Sequence, residues 1–272
     1  MTKTLSASIV TYKNDISLLK RTIESVLACK TVQKLYIVDN SPTQALKSFC
    51  SKSRIEYIFN NENLGFGKAH NIAITNSIQN SFKYHLVLNP DVHFGSEVLA
   101  EIYNFMEGAE DVAQLMPKVI YPNGQLQYLC KLLPSPLNLF ARRFIGNSKF
   151  AQKLDEEYEL RASGYNKTMN IPYLSGCFMF LRNSALKEVG LFDENIFMYI
   201  EDCDLTRRLH RKYKTLFWPE VQITHHYEKG SYKNWKLMIY NLHGAFVYFN
   251  KYGWFFDKER EKINKKVLSS VI

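Results

Sequence analysis

Short apolar runs alternate with stretches of helical spacing along the first third of the chain. Leu5 to Val10 reads as a strand, and Asp15 to Leu27 places Ile16, Leu19, Ile23, Val26 and Leu27 on one helical face. Leu35 to Val38 is a second apolar strand, ending in Asp39-Asn40-Ser41-Pro42, and Ile55 to Phe59 is a third. A turn, Asn63-Leu64-Gly65-Phe66-Gly67, leads into a helix from about Lys68 to Ser77. The buried-strand pattern Tyr84-His85-Leu86-Val87-Leu88 then runs into Asn89-Pro90-Asp91. Strand, helix, strand, strand, helix, strand is the βαβ rhythm of a parallel sheet with right-handed crossovers. Residues 1–115 therefore read as the nucleotide-binding half of a Rossmann-like α/β fold.

The pattern loosens over about 125–170, where Leu132-Leu133-Pro134-Ser135-Pro136 precedes the basic apolar Leu139-Phe140-Ala141-Arg142-Arg143-Phe144. This stretch is expected to be a mobile or surface-docking loop. Tyr173 to Leu181 reads as one strand bearing a close-approach glycine, Gly176. A helix is expected from about Glu201, with Leu205 and Leu209 buried and Asp204 paired to Arg208 one turn on. Val221 to Thr224 is a strand ending in His225-His226 and a polar turn with Lys229, Gly230 and Ser231. Trp235 to Phe256 reads as one or two amphipathic helices.

Composition narrows the class. The 272 residues suffice for one large α/β domain or two packed halves. Five cysteines with no CxxC spacing argue against a disulfide scaffold or a structural zinc site and fit a reducing cytosol. The first residues lack an apolar run of signal-peptide length, and no later run reaches membrane-spanning length, so a cytoplasmic location is expected. A net charge of +9 points to an anionic partner: nucleic acid, anionic lipid or a phosphorylated substrate. With no zinc knuckle, RRM signature or long basic block, nucleic acid is set aside.

The candidate chemistry sits at strand ends. Asp39 and Asp91 share one sheet edge if their strands are parallel neighbours, which suits Asp39 to a base imide and Asp91 to a cation bridging phosphates. Each is also a plain turn-former. Gly65 and Gly67 before a helix offer backbone N–H groups to a phosphate or ribose, or only shape a turn. Glu201 and Asp202 in a first helical turn are expected to stay ionised beside the helix dipole, one of them able to take a proton from a hydroxyl, or to serve as a cap. One of His225 and His226 could complete a metal site opened by Asp91, with Lys229 and Ser231 on phosphate oxygens.

In this order, the segments resemble family 2 glycosyltransferases of the GT-A fold, in particular the bacterial rhamnosyltransferase branch that builds surface polysaccharides. The matching residues are Ser8 to Tyr12, Ile37 to Ser41, Asn63 to Gly67 with Asn71, Asn89 to Asp91, Ser175 to Cys177, Glu201 to Leu205, and His225-His226 with Gly230-Ser231. The resemblance implies a catalytic domain over 1–232, with an acceptor half at 116–232, and a C-terminal helical segment at 233–272. It implies a donor site of Thr11, Tyr12, Asp39, Asn40, Asn63, Gly65, Asn71, Asn89, Lys229 and Ser231, and an acceptor site of Ser175, Gly176, Cys177 and Glu201. Asp202 is implied as catalytic base, with Glu201 beside it. Asp91, as the one acid of a DxD-type motif reading Asn89-Pro90-Asp91, would hold Mg²⁺ or Mn²⁺ with His225 or His226. The implied reaction is inverting transfer, with dTDP-L-rhamnose favoured over UDP-hexoses, onto a polyprenyl-diphosphate-linked glycan. The basic loop and aromatic C-terminus suggest peripheral attachment to the inner face of the cytoplasmic membrane, or packing on the core or in a homodimer. A sugar nucleotidyltransferase fits less well, because the first strand leads into Thr11-Tyr12-Lys13-Asn14-Asp15 rather than a glycine-rich basic loop. A degenerate sugar-nucleotide-binding subunit is the non-enzymatic alternative.

Overall fold

The computed structural model describes residues 4–50, 53–139, 148–227 and 235–271. Strands β1 (Leu5–Thr11), β2 (Val32–Asp39), β3 (Ile55–Phe59) and β4 (Tyr84–Leu88) are parallel, in the order β3-β2-β1-β4. Helices α1 (Ile16–Ala28) and α2 (Phe66–Gln79) connect them. Asp15 begins α1 by accepting from the backbone N–H groups of Ser17 and Leu18, which satisfies two otherwise orphaned donors. Asp39 and Asp91 do lie at the same sheet edge, but β1 runs between their strands.

The sheet continues through β10 (Phe178–Arg182), β6 (Val112–Ile120), β11 (Lys214–His225) and β5 (Val92–His93), after α3 (Val98–Glu107) has crossed over. β10 is antiparallel to both β4 and β6, so a strand of the second half is inserted beside the last parallel strand of the first. The two expected halves therefore share one continuous sheet.

Helices cover both faces, and the strands are apolar on both accordingly. Along β4, Tyr84, Leu86 and Leu88 enter the core beneath α1 and α3, while Val87 enters the opposite core with Ile74 of α2, Leu186 of α5 (Asn183–Val189) and Leu205 of α6 (Glu201–His210). Under α2 runs a buried polar chain. His85 bonds Ser6 and Ser8 through its two ring nitrogens, each at 2.8 Å, and Ser8 reaches His70 at 2.7 Å. Burial pushes His85 down to about 3, so the chain is neutral.

Two expectations change. The loosely patterned stretch contains order: β7 (Cys130–Lys131) pairs with β9 (Tyr173–Leu174), α4 (Lys149–Tyr158) is capped by Ser148, and β8 (Met169–Asn170) pairs with β11. Residues 140–147, which include most of the basic apolar segment, lie outside the described residues. The expected strand from Tyr173 to Leu181 is in fact β9 and β10 separated by Ser175-Gly176-Cys177, because the Gly176 N–H turns to the Asp202 side chain instead of a ladder.

The C-terminus forms α7 (Trp235–Tyr252) and α8 (Lys258–Val271), and both are tied to the body. Ala245, Tyr248 and Phe249 of α7 pack with Ile196, Ile200 and Cys203. Arg207, fully buried on α6, forks onto Asp257 at 2.8 and 2.9 Å and onto Glu259 at 2.6 Å. A buried guanidinium needs such complete pairing to offset its desolvation.

Candidate active site

At the carboxyl edge of β1 and β2 the polar groups close on one another. Asp39 is fully buried and accepts from Thr11 Oγ1 at 3.1 Å, the Ser41 N–H at 2.9 Å and Tyr57 OH at 2.6 Å. Thr11 is also fully buried, which leaves Tyr12, 46 % exposed, as the open member of the expected base-binding trio. Asn40 spends its side chain on the Gly65 carbonyl at 3.0 Å, Asn60 at 2.8 Å and Asn63 at 3.4 Å. Asn63 in turn accepts from the Gly65 N–H at 3.1 Å.

The glycine turn faces inward. Gly65 has φ +81°, and a Cβ there would lie 2.1 Å from the Phe197 carbonyl oxygen, so both conformation and space require glycine. A Cβ on Gly67 would meet Phe192 at 2.8 Å. The Phe66 N–H, which would have served a phosphate at the start of α2, donates to the Phe197 carbonyl at 2.9 Å. Asn71 likewise exchanges two hydrogen bonds with the Phe192 backbone, each 3.0 Å, and donates to Glu194. Packing and these internal bonds are sufficient to explain Gly65 and Asn71, and they join α2 to the segment that leads into α6.

That segment ends in two consecutive left-handed residues, Tyr199 (φ +69°) and Ile200 (φ +67°). Such a pair costs roughly 1–3 kcal/mol per residue and persists only where its surroundings enforce it. Here α7 enforces it: Ile200 is buried among Cys203, Ala245, Tyr248 and Phe249, and a Cβ on Gly244 would lie 2.7 Å from the Tyr199 carbonyl. The result is that α6 starts abruptly with Glu201 and Asp202.

Where the sequence suggested that the helix end favours the charged form of both acids, burial pushes both carboxyls up from the ordinary carboxylate range. Burial, then the neighbouring Asp202 charge, pushes the Glu201 carboxyl well up, and its Oε2 is buried without a hydrogen-bond partner. Burial also raises Asp202, although the Gly176 and Cys203 N–H groups, at 2.8 and 2.9 Å, favour its ionised form. The expected Asp204–Arg208 pair is present at 2.8 Å with Asp204 fully buried, a structural contact.

Beyond β4, the Asn89 N–H donates to the Cys177 carbonyl at 3.0 Å, the Pro90 carbonyl accepts from Thr22 at 2.8 Å, and the Asp91 carbonyl accepts from the His226 N–H at 3.0 Å. These bonds fix the Asp91 backbone. The Asp91 carboxylate is different: Oδ1 is buried with no hydrogen-bond partner, 3.4 Å from His225 Nε2. Asn89 Nδ2 lies 3.4 Å from the same nitrogen. The other adjacent histidine, His226, lies tilted against His93 with centroids 5.0 Å apart. Burial opposes charge on His225, but Cys177 and the Asp91 carboxylate outweigh it and push the imidazole up to about 10.

Gln127 was missed by the sequence reading. It is buried, its Oε1 lies 2.9 Å from His225 Nδ1, and its Nε2 donates to the His225 carbonyl at 2.8 Å. One carboxamide thereby clamps ring and backbone of one histidine, with Nδ1–H held by Gln127 and Nε2 turned to Asp91. No spacing rule links residues so far apart. Among the described residues there is no cluster of three or more His, Cys, Asp or Glu suited to a metal. His225 Nε2, once a cation displaces its proton, an Asp91 oxygen with no hydrogen-bond partner and an outer residue that orients the ring nevertheless fit a divalent cation, provided a ligand supplies further oxygens.

Lys229 and Ser231 lie outside the described residues. Ser175 to Cys177 connect the two acid clusters, with Gly176 on Asp202 and Cys177 on Asn89.

Residues 6–190 match the profile described as glycosyl transferase family 2. A hexosyltransferase of low-salt glycan biosynthesis, Agl10 of Haloferax volcanii, is 25 % identical over 211 residues, covering 76 % of this chain and 62 % of that protein. The N-acetylglucosaminyl-diphospho-decaprenol L-rhamnosyltransferase of Mycobacterium tuberculosis is 24 % identical over 245 residues, covering 83 % of this chain and 77 % of that protein. In fold, the chain is similar to GalNAc-T7 crystallised with UDP, GalNAc and Mn²⁺, with TM-score 0.62, 15 % identity, and coverage of 83 % of this chain and 43 % of that one. The architecture is thus the GT-A fold. The chain spans under two thirds of the Haloferax protein.

Proposed function

The chain belongs to glycosyl transferase family 2, and from that premise we propose that it is an inverting transferase moving L-rhamnose from dTDP-L-rhamnose onto a hydroxyl of a polyprenyl-diphosphate-linked glycan. The donor and acceptor classes are supported by the Mycobacterium relative, whose name specifies L-rhamnose and a diphospho-decaprenol acceptor. Work at the inner face of the cytoplasmic membrane follows from such an acceptor.

The observation that carries the reading is the turn between the two acid clusters. Asp202 holds the Gly176 N–H at 2.8 Å, and the next residue's carbonyl holds the Asn89 N–H at 3.0 Å. Three residues therefore set the spacing between a base and the donor-side acid, the positional control that displacement chemistry needs. Asp91 and His225 would hold Mn²⁺ or Mg²⁺, which when bound neutralises charge on the nucleoside diphosphate. Tyr12 offers an open ring to the base, and Asp39 fixes the strand ends beside it through Thr11, Ser41 and Tyr57. Asp202, its carboxylate held by the Gly176 and Cys203 N–H groups, takes the proton of the acceptor hydroxyl as that oxygen attacks the anomeric carbon. The carbon–oxygen bond to the diphosphate breaks on the opposite face, and the nucleoside diphosphate leaves with the electron pair. Glu201, whose carboxyl burial pushes well up, stands beside the base with Oε2 free of any internal hydrogen bond and is assigned to the acceptor site.

A thermal-shift screen of nucleoside diphosphate sugars, with and without Mn²⁺, tests donor class. A shift with dTDP-L-rhamnose that requires Mn²⁺ and disappears in Asp91→Ala is expected. A shift with UDP-hexoses alone would replace the donor assignment.

A further inference from the structure

The outer face of α7 is apolar and stays exposed, although Phe246 meets Trp254 edge to face with centroids 5.7 Å apart. Trp235, Ile239, Leu242 and Phe246 are 65, 47, 38 and 54 % exposed. At about 100° per residue these positions fall within an arc of about 60°, a single stripe along the helix. The stripe runs towards a tip made by Phe255 and Phe256, which are 74 and 92 % exposed. Large adjacent aromatics at that exposure are rare on a surface that meets only water. The opposite face of the same helix carries Gly244, packed on the Tyr199 carbonyl immediately before Glu201 and Asp202.

We propose that this stripe and the Phe255-Phe256 tip form an interfacial docking surface for an anionic lipid bilayer, lying in the headgroup layer and presenting the acid-bearing end of α6 to the membrane. The proposal rests on the lipid-linked acceptor reading above. Two features favour lipid over a second copy of the chain. Trp235 has Lys236 6.0 Å above its ring, and α8 exposes Lys258, Lys262, Lys265 and Lys266, so cations accompany the apolar side chains as they do in interfacial helices. With a net charge of +9, two copies repel one another while an anionic surface attracts each. The geometry is also economical for the reaction: one helix diameter, about 10 Å, separates the stripe from the backbone that leads into Asp202. No described helix is long and apolar enough to cross a membrane, so contact through this helix would be lateral.

The test is flotation of the full chain with vesicles of equal phosphatidylglycerol and phosphatidylethanolamine, against vesicles of phosphatidylcholine alone. The native chain should float with the anionic vesicles at low salt. Phe255→Ser/Phe256→Ser and, separately, Ile239→Glu/Phe246→Glu should each lower partitioning about tenfold or more, given the apolar area withdrawn. Both variants should keep the native melting temperature and the native turnover of a short-chain, water-soluble acceptor, because the changed side chains face outward. Equal flotation of native and variant proteins overturns the proposal. So does a dimer in sedimentation equilibrium that the same substitutions dissociate. Vesicle binding that persists with no transfer to any diphospholipid acceptor would instead remove the functional reading and leave the docking surface standing.

Discussion

Asp39 and Asp91 lie beyond strands on either side of β1, at the same edge of one sheet, and the protein treats them oppositely. Asp39 is fully buried with three internal donors, a finished piece of polar structure. Asp91 has a firmly held backbone and a buried oxygen with no hydrogen-bond donor. Glu201 repeats the second condition: its Oε2 is orphaned, and the turn before it is held in a strained conformation. Buried polar groups left unsatisfied cost stability, and at these two places the reading proposed above supplies the ligand that would complete them.

That contrast can be broken in several ways. The largest effect is expected at Asp202: Asp202→Asn should fold normally and bind donor, yet lose ~10²-fold or more in turnover, the usual scale of a general base. Steady-state kinetics beside donor calorimetry measures both, and near-native turnover would remove Asp202 from the role. On stability the order reverses. Asp39→Asn should cost about 2–3 kcal/mol by leaving charge-assisted donors poorly matched, whereas Asp91→Asn should be neutral or slightly stabilising in the absence of cation. Urea unfolding of the two variants reads the difference directly, and equal losses would erase the distinction between scaffold and site. At Gln127 the effect is indirect: Gln127→Leu should weaken Mn²⁺ binding about 10–100-fold, as loss of an outer-shell partner does. Gln127→Glu, which still accepts from Nδ1–H, should lose less. Manganese EPR gives both affinities, and nitrogen NMR of the metal-free protein should show His225 losing its fixed Nδ1–H bond in the Leu variant alone.

The smallest expected effect concerns the neutral chain around His85. Its pKa is pushed down to about 3 by burial, against 6.5 when unfolded, so on acidification the unfolded chain takes up the proton first. The stability is fully present above about pH 6.5 and declines as pH falls towards about 3, amounting to about 2 kcal/mol lost by pH 5. His85→Gln should be less stable at pH 7.5 but show a shallower decline between pH 7.5 and 5. An unchanged slope would mean His85 is already protonated in the fold.

Much of this was legible in the chain. The parallel core declares itself through short apolar runs such as Leu35 to Val38 and Leu86 to Leu88, whose register depends on local pattern. The strand-end acids follow because topology sends those strands to one edge. What remained hidden depends on contacts between distant residues. Gly176 interrupts an apparently continuous strand only because Asp202 takes its N–H. Gly65 and Asn71 carry no sequence sign of Phe197 and Phe192, which pack and bond against them. Glu201 looks ionised beside a helix end, but burial outweighs the dipole. Gln127 carries no motif, and its relation to His225 exists only in space.

The central claim is that the unpartnered Asp91 oxygen and His225 Nε2 form a cation site completed by the donor. Calorimetric titration of dTDP into the native chain and into Asp91→Asn, each with and without Mn²⁺, tests it most directly. Mn²⁺ is expected to strengthen dTDP binding about tenfold or more in the native chain, because a cation held by Asp91 would offset the diphosphate charge, and to leave Asp91→Asn unaffected. The same gain from Mn²⁺ in both proteins would contradict it.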